Sequence, residues 1–321
     1  MLPRSLAAMS PAKPSLLLIG HLQHCQPEWT QLQSKYNLMQ FHGTRPQFLS
    51  NCVSGSYSNV IGLYRTSSTT HTGHFDHELI HHLPPTLKYI ALNAAGYDGM
   101  DIPACIVRGI RVSNTPDVVA NATADVAMLL LLGALRYAMI PLEAMLGILG
   151  MGSIGQALAR RATGFGMKII YHNRSRLPEE KEGSASYVTF DEILQQSDIL
   201  SLNLPLNLPA TPKTRHIISG PEFRKMKDGV VIINTGRGSL LDETALVEAL
   251  KTGKVGSAGV DVYENEPEIH PELLENKRVM LLPHIGTTTV EMKREMELLT
   301  IRNLESALDT GHLLTPIPEC S

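Results

Sequence analysis

The sequence predicts an α/β protein made of two doubly wound parallel-sheet domains, and three observations predict it. Short apolar runs alternate with amphipathic stretches along the chain, the pattern of strands joined by crossover helices. One such run, residues 146–149, leads into Gly150, Gly152 and Gly155 at G-x-G-x-x-G spacing and then into a helical pattern. The chain has 321 residues, enough for two domains with sizeable cores.

Composition narrows the function class. Charged residues are 18% and the net charge is −3, so no basic surface points to nucleic acid or an anionic membrane. The longest apolar run, residues 126–135, is too short to span a bilayer. Cys25, Cys52, Cys105 and Cys320 lie far apart with no C-x-x-C pair, which fits a reducing compartment and argues against a disulfide framework or zinc site. The stretch before Glu28 carries Arg4 and Lys13 but no acid, faintly like a transit peptide. A strand pattern already starts at Ser15, so a short disordered leader in a cytoplasmic protein is expected.

The first half reads as strands at residues 15–20, 59–64, 87–92 and 110–113, with helices near 28–36 and 47–52. His71, His74, His77, His81 and His82 recur at helical spacings, which raises a metal site. Phe75, Leu79 and Ile80 supply an apolar side opposite most of them, and no cysteine is near, so a solvated helix face is expected instead. Residues 117–136 read as a long apolar helix that bridges two domains. Residues 137–145, with Pro141 among them, are all that separate it from the glycine-rich unit.

The second half reads as strands at 167–171, 198–204, 229–235, 256–262 and 279–282. Helices are expected at 190–195, 222–227 and 242–250, the last capped by Asp242. A proline-rich loop covers 205–212, and a closing helix over 287–308 is read as core and domain-bridging.

Each glycine of the turn has a physical task. Gly150 allows the tight strand-to-helix turn, Gly152 lets a pyrophosphate approach the backbone, and Gly155 lets the helix pack close to the sheet. The phosphates would sit at the helix N-terminus, near Ser153 and Ile154. A dinucleotide fold usually places an acid at the end of the next strand, on the ribose 2′-hydroxyl. Here that place reads His172-Asn173-Arg174-Ser175-Arg176, with guanidinium groups and no carboxylate, so NADP(H) is favoured and NAD(H) remains possible.

Ligands of open parallel sheets bind beyond the carboxyl ends of the strands. Arg237, Glu266 and His284 all fall at such ends. Together they suit one chemistry. Arg237 would clamp a carboxylate and polarise the neighbouring carbonyl. His284 would protonate the carbonyl oxygen as a hydride arrives from a nicotinamide, and Glu266 would fix its tautomer and raise its pKa.

These stretches resemble the D-isomer-specific 2-hydroxyacid dehydrogenase family. The resemblance runs from about Ser15 to Glu319 and rests on Asn93-Ala-Ala-Gly-Tyr-Asp98, the glycine turn, Asn234-Thr-Gly-Arg-Gly238, Gly259-Val-Asp-Val-Tyr-Glu-Asn-Glu-Pro267 and Pro283-His-Ile-Gly286. Tyr171-His-Asn-Arg-Ser-Arg176 is most similar to the fungal glyoxylate reductase and D-mandelate dehydrogenase group. The resemblance implies a flavodoxin-like substrate domain, residues 1–120 plus 296–321, and a Rossmann NAD(P)-binding domain, residues 121–295, with a cleft between them. It implies that the Ala95 and Gly96 amides hold the substrate carboxylate with Arg237. It likewise implies that Thr123, Thr235 and Asp261 contact the cofactor and that Asn173, Arg174 and Arg176 lie at its adenosine ribose. Leu63, Tyr64 and Arg65 are expected to shape the substrate pocket.

One departure stands out. Family members carry some tens of residues, with an Arg-x-Gly-x-Trp stretch that helps form a dimer arm, where this chain has residues 137–145; its one tryptophan is Trp29. That implies an internal deletion and puts the expected homodimer in question. The reading is therefore a reductase of small 2-oxo acids, glyoxylate, hydroxypyruvate or related, to D-2-hydroxy acids. The alternative is a catalytically impaired or non-catalytic dinucleotide-binding regulatory protein.

Overall fold

A strand buried on both faces belongs inside a parallel sheet covered by helices, and Ser15–Ile19 is buried at every position. The computed structural model describes residues 13–66, 68, 70–141, 143–206 and 214–320. Residues 1–12 of the expected leader and residues 207–213, which take in most of the proline-rich loop, lie outside the described residues.

The chain forms two units, Met1–Pro116 with Lys293–Ser321, and Asp117–Met292. In the first unit the elements run β1 (Ser15–Ile19), α1 (Gln26–Gln31), β2 (Asn37–Phe41), α2 (Arg45–Val53), β3 (Val60–Thr66), α3 (His77–His82), β4 (Tyr89–Asn93), α4 (Ile102–Val107) and β5 (Arg111–Ser113). The sheet is parallel throughout, in the order β2-β1-β3-β4-β5. Its core joins Leu16, Leu18, Trp29, Tyr64 and Ala91 to Ile301 and Leu304 of the last helix. Glu297, on the same helix, is buried and accepts the backbone N–H groups of Gln23, His24 and Cys25 at 2.8, 2.9 and 2.9 Å. These amides lie in the turn before α1, so the carboxylate satisfies backbone donors that neither the sheet nor the helix reaches.

The second unit holds α5 (Ala120–Ala138), β6 (Met145–Leu149), α6 (Ser153–Thr163), β7 (Lys168–His172), α7 (Glu179–Glu182), β8 (Ser186–Tyr187), α8 (Phe190–Gln196) and β9 (Ile199–Leu202). It continues with α9 (Gly220–Lys225), β10 (Val230–Asn234), α10 (Glu243–Lys251), β11 (Val255–Val260), α11 (Pro271–Glu275) and β12 (Val279–Leu281). α12 (Val290–Thr310) starts here and runs into the first unit, since the division falls between Met292 and Lys293. All seven strands are parallel, in the order β12-β11-β10-β9-β6-β7-β8. The two-fold α/β architecture is as the sequence predicts.

Three expectations need correction. The helix at 117–136 is not a bridge: α5 lies within the second unit, packed on β10, β11 and α6, with Ala124, Ala127, Leu130, Leu131 and Ala134 in the core. An apolar period marks a buried face but not which domain buries it. With its preceding turn, residues Asp117–Ala138 (mean hydropathy 1.9) are also long and apolar enough to cross a membrane, yet this apolar stripe is core. The two units divide at 116/117 and 292/293. Leu63 and Tyr64 are core side chains, Tyr64 meeting Trp29 edge-on at 5.9 Å. Arg65 is buried too, over the Phe75 ring at 4.8 Å.

The histidine-rich segment forms only one short helix, α3, whose Leu79 and Ile80 are buried. Among the described residues no group of three His, Cys, Asp or Glu side chains is arranged to hold a metal ion.

Candidate active site

The glycine turn closes β6. Gly150 has φ +100, and a Cβ there would lie 2.8 Å from the Asn203 carbonyl. A Cβ on Gly155 would lie 2.4 Å from the Gly150 oxygen, so α6 can sit this close only without one. A Cβ on Gly152 would meet nothing within 4 Å. That open space faces the start of α6, which has no side-chain cap. Such an N-terminus offers N–H groups to an anion. Thr235 Oγ1 and Asn203 Oδ1, beyond the ends of β10 and β9, are buried without a hydrogen-bond partner among the described residues. Buried polar atoms are rarely left unpaired, so the cradle, the uncapped helix and these two atoms fit a dinucleotide.

At the end of β7 the three residues grouped by sequence take three different roles. Asn173 Oδ1 accepts the Met151 N–H at 2.7 Å, which ties it to the glycine turn. Arg174 is exposed and makes no hydrogen bond or ion pair among the described residues. Arg176 donates from Nε and Nη2 to the two oxygens of Glu182, both at 2.8 Å. Tyr171 donates to the same carboxylate at 2.5 Å and accepts the Leu177 N–H at 2.9 Å. Arg176, then Tyr171, holds the Glu182 carboxyl down at about 2. Arg176 is therefore already paired where a second phosphate ligand was expected.

Three neighbouring strands carry the ionisable group. Past β10, buried Asn234 accepts the Gly236 N–H at 3.1 Å and donates to the Arg237 carbonyl at 2.9 Å, fixing the turn that presents Arg237. Gly238 follows because nothing else fits: a Cβ would stand 1.8 Å from the Tyr263 carbonyl carbon. Past β11, Glu266 accepts the Tyr263 N–H at 3.0 Å through Oε1 and meets His284 Nδ1 at 2.8 Å through Oε2. Past β12, the Leu282 carbonyl accepts the Tyr263 hydroxyl at 2.7 Å, just before His284.

His284 has φ +55, a left-handed conformation uncommon for a residue other than glycine. The following two amides explain how it is held. Ile285 and Gly286 donate to the two oxygens of buried Asp261, each at 2.8 Å. Asp261, which the resemblance places at the cofactor, has both oxygens engaged by the backbone behind His284. Burial raises its pKa, with the two amides opposing. Thr123 on α5 lies beside the same loop, its Cγ2 3.5 Å from where a Gly286 Cβ would stand.

The electrostatics suit proton exchange. The hydrogen bond to Glu266 raises the His284 pKa, while burial pulls it down less strongly. Burial raises Glu266, but the His284 bond and the Tyr263 amide outweigh it, and the net shift is downward. Arg237 lowers both pKa values, so its charge reaches both groups. With Glu266 ionised, Nδ1–H donates to it and the exchangeable proton is on Nε2.

Arg237, Glu266 and His284 are thus brought together, with Asp261, Thr123 and the glycine turn in the same unit. Ala95 and Gly96 lie in the other unit, in the loop after β4, where Asn114 Nδ2 donates to the Ala95 carbonyl at 2.6 Å. Sequence reasoning missed Glu182 and Tyr263, and did not foresee the two amides that Asp261 accepts. The GVDVYENEP wording marks Tyr263 and Asp261 as members of the stretch but says nothing of what they bond.

Comparison with known proteins places the chain among relatives of one family. The family described as D-isomer specific 2-hydroxyacid dehydrogenase, NAD binding domain, matches residues 141–286. A protein of Aspergillus oryzae named 4-methyl-2-oxopentanoate reductase A is 53% identical over 327 aligned positions, covering 95% of this chain and 98% of its own. That span exceeds the 321 residues present here, so some residues of the relative face none in this chain. The crystal structure of a glyoxylate reductase from Paecilomyes thermophila superposes with a TM-score of 0.92 at 53% identity, covering 97% of this chain and 100% of that one. The holo form of Rhodotorula graminis D-mandelate dehydrogenase gives 0.88 at 30% identity, with 96% and 98% covered. An NADPH-dependent glyoxylate/hydroxypyruvate reductase from Sinorhizobium meliloti, in complex with NADP and malonate, gives 0.81 at 29% identity, with 96% and 98% covered.

Proposed function

Because the chain belongs to the D-isomer specific 2-hydroxyacid dehydrogenase family, we propose that it reduces a small 2-oxo acid to the D-2-hydroxy acid, with NADPH in preference to NADH. The observation that carries this reading is the set of Arg237, Glu266 and His284 at three adjacent strand ends, with His284 Nδ1 2.8 Å from Glu266.

When bound, the reduced nicotinamide supplies a hydride to the carbonyl carbon. Arg237 pairs with the substrate carboxylate through two N–H groups, which orients the carbonyl and draws electron density from it. His284 gives its Nε2 proton to the carbonyl oxygen, and the ring is left neutral. Glu266 favours the protonated ring beforehand and keeps Nδ1–H in place throughout. In the reverse direction the neutral Nε2 takes the hydroxyl proton.

Arg174 supports the preference for NADPH. It stands exposed and unpaired among the described residues where a carboxylate would repel a 2′-phosphate. The NADP complex of the Sinorhizobium relative supports the same choice. The substrate is a short 2-oxo acid: two relatives at 53% identity are named for glyoxylate and for 4-methyl-2-oxopentanoate. Four unpaired cysteines support a cytoplasmic location.

A panel of glyoxylate, hydroxypyruvate and 4-methyl-2-oxopentanoate with each cofactor tests the proposal. At least one acid should be reduced, faster with NADPH at low cofactor concentration. NADPH binding without turnover of any acid would instead support a non-catalytic regulatory protein. That second reading draws on the short connection between α5 and β6, residues 139–144.

A further inference from the structure

We infer that Glu182 is a positioning residue for cofactor choice: it fixes the loop after β7 so that Arg174 is presented to a 2′-phosphate. This rests on the NADPH reading above. The loop, residues 173–177, is tied down at both ends. Asn173 holds Met151 N–H through its side chain at 2.7 Å, and its carbonyl accepts the Tyr187 hydroxyl at 3.2 Å. Leu177 N–H reaches Tyr171 at 2.9 Å, and Arg176 makes its paired bonds to Glu182 at 2.8 Å.

Between these anchors stand Arg174 and Ser175, both exposed. Glu182 is the fixed end of the clamp. Its side chain is 7% exposed, whereas that of Arg176 is 65% exposed, so the acid holds the arginine rather than the reverse. Tyr171, fully buried, braces the same carboxylate from the sheet. A loop already ordered loses less freedom when its ligand arrives.

The clamp also settles an electrostatic problem. Glu182 lines a cavity of about 210 Å³ beside the glycine turn, with Met151, Arg160, Glu180 and Lys181. An unpaired carboxylate there would oppose a phosphate nearby. Paired with Arg176, its charge is matched, and the unpaired cation of the loop is Arg174.

The test uses the full chain with Glu182→Gln, Arg176→Ala and Arg174→Ala. Calorimetry measures the affinity for adenosine 2′-monophosphate, and steady-state kinetics measures KM for NADPH and NADH. Glu182→Gln should weaken the 2′-monophosphate and raise the NADPH KM by about tenfold, with NADH KM and saturated kcat within about twofold. Arg176→Ala should do the same, because it breaks the same clamp.

Equal losses for NADPH and NADH would overturn the inference, as they would mean a general structural defect. Tighter 2′-monophosphate binding by Glu182→Gln, with weaker binding by Arg176→Ala, would make Arg176 itself the phosphate ligand and overturn it as well. If Arg174→Ala is selective and Glu182→Gln is not, only the role of Glu182 falls. If the wild type does not distinguish the cofactors and Arg174→Ala moves neither, the NADPH reading falls and takes this one with it. Should Glu182→Gln fail to fold, Tyr171→Phe removes the phenol's bonds to Glu182 and to Leu177 N–H and must give a loss of the same selectivity.

Discussion

Two loops of the second unit are each held by an acid, and the two acids hold different things. Glu182 grips side chains, the guanidinium of Arg176 and the phenol of Tyr171. Asp261 grips backbone, the amides of Ile285 and Gly286. The first arrangement leaves the intervening Arg174 exposed between two anchored ends of the loop. The second fixes the main chain directly after His284 and so the direction of the ring itself. The difference separates recognition, which tolerates a mobile tip, from proton transfer, which does not.

The two acids also respond oppositely to pH. Glu182 has its pKa lowered in the folded state, so its contribution to stability is complete above the ordinary glutamate value and is lost as pH falls towards about 2. Asp261 has its pKa raised by burial, so its ionisation opposes folding and stability falls as pH rises through its titration. Burial disfavours the Asp261 carboxylate, and the two amides that oppose that shift are the ones that hold the His284 loop.

The largest expected effect is at the proton donor. His284→Ala should cut turnover by about 10²–10⁴-fold while leaving adenosine 2′-monophosphate affinity as it was, measured on one preparation. Loss of both together would erase the separation drawn above.

Asp261→Asn comes next. It leaves one of two amides facing an NH₂ group, a mismatch of about 1–3 kcal/mol. Turnover should fall about tenfold with NADPH and NADH alike, and the melting temperature should drop. A defect confined to NADPH would contradict the comparison, since that signature belongs to Glu182.

The smallest change is a shift rather than a loss. The raised His284 pKa means that reduction is supplied with a proton below that pKa and declines as pH rises through it. Glu266→Gln removes the negative charge behind the ring, so the declining limb should move to lower pH. An unmoved limb would mean that another group sets it.

Much of this site is legible in the chain. Gly150, Gly152, Gly155, Arg237, Glu266 and His284 are where the spacing puts them, because a strand end followed by glycine or proline has few conformations open to it. Other features left no such mark. The left-handed backbone at His284 carries no glycine to announce it; it is imposed by Asp261, over twenty positions away. Edge strand β8 is two residues long, too short for any period to show. Glu182 lies in a run of acids and lysine that reads as a solvated turn, and only the fold reveals that Tyr171 and Arg176 converge on it. The helix at 117–136 is legible as a helix but not as a member of one unit, because its apolar stripe does not name its partner.

The bare backbone at Gly238 has a wider consequence. Its α-carbon rests against the peptide joining Tyr263 to Glu264, so the turn bearing Arg237 and the segment leading to Glu266 touch without any side chain between them. The spacing between the group that grips the acid and the group that tunes the imidazole is therefore a hard stop, set by main-chain atoms alone. Neighbouring side chains can be exchanged without altering that gauge, whereas adding a single methyl group at 238 would wedge it open.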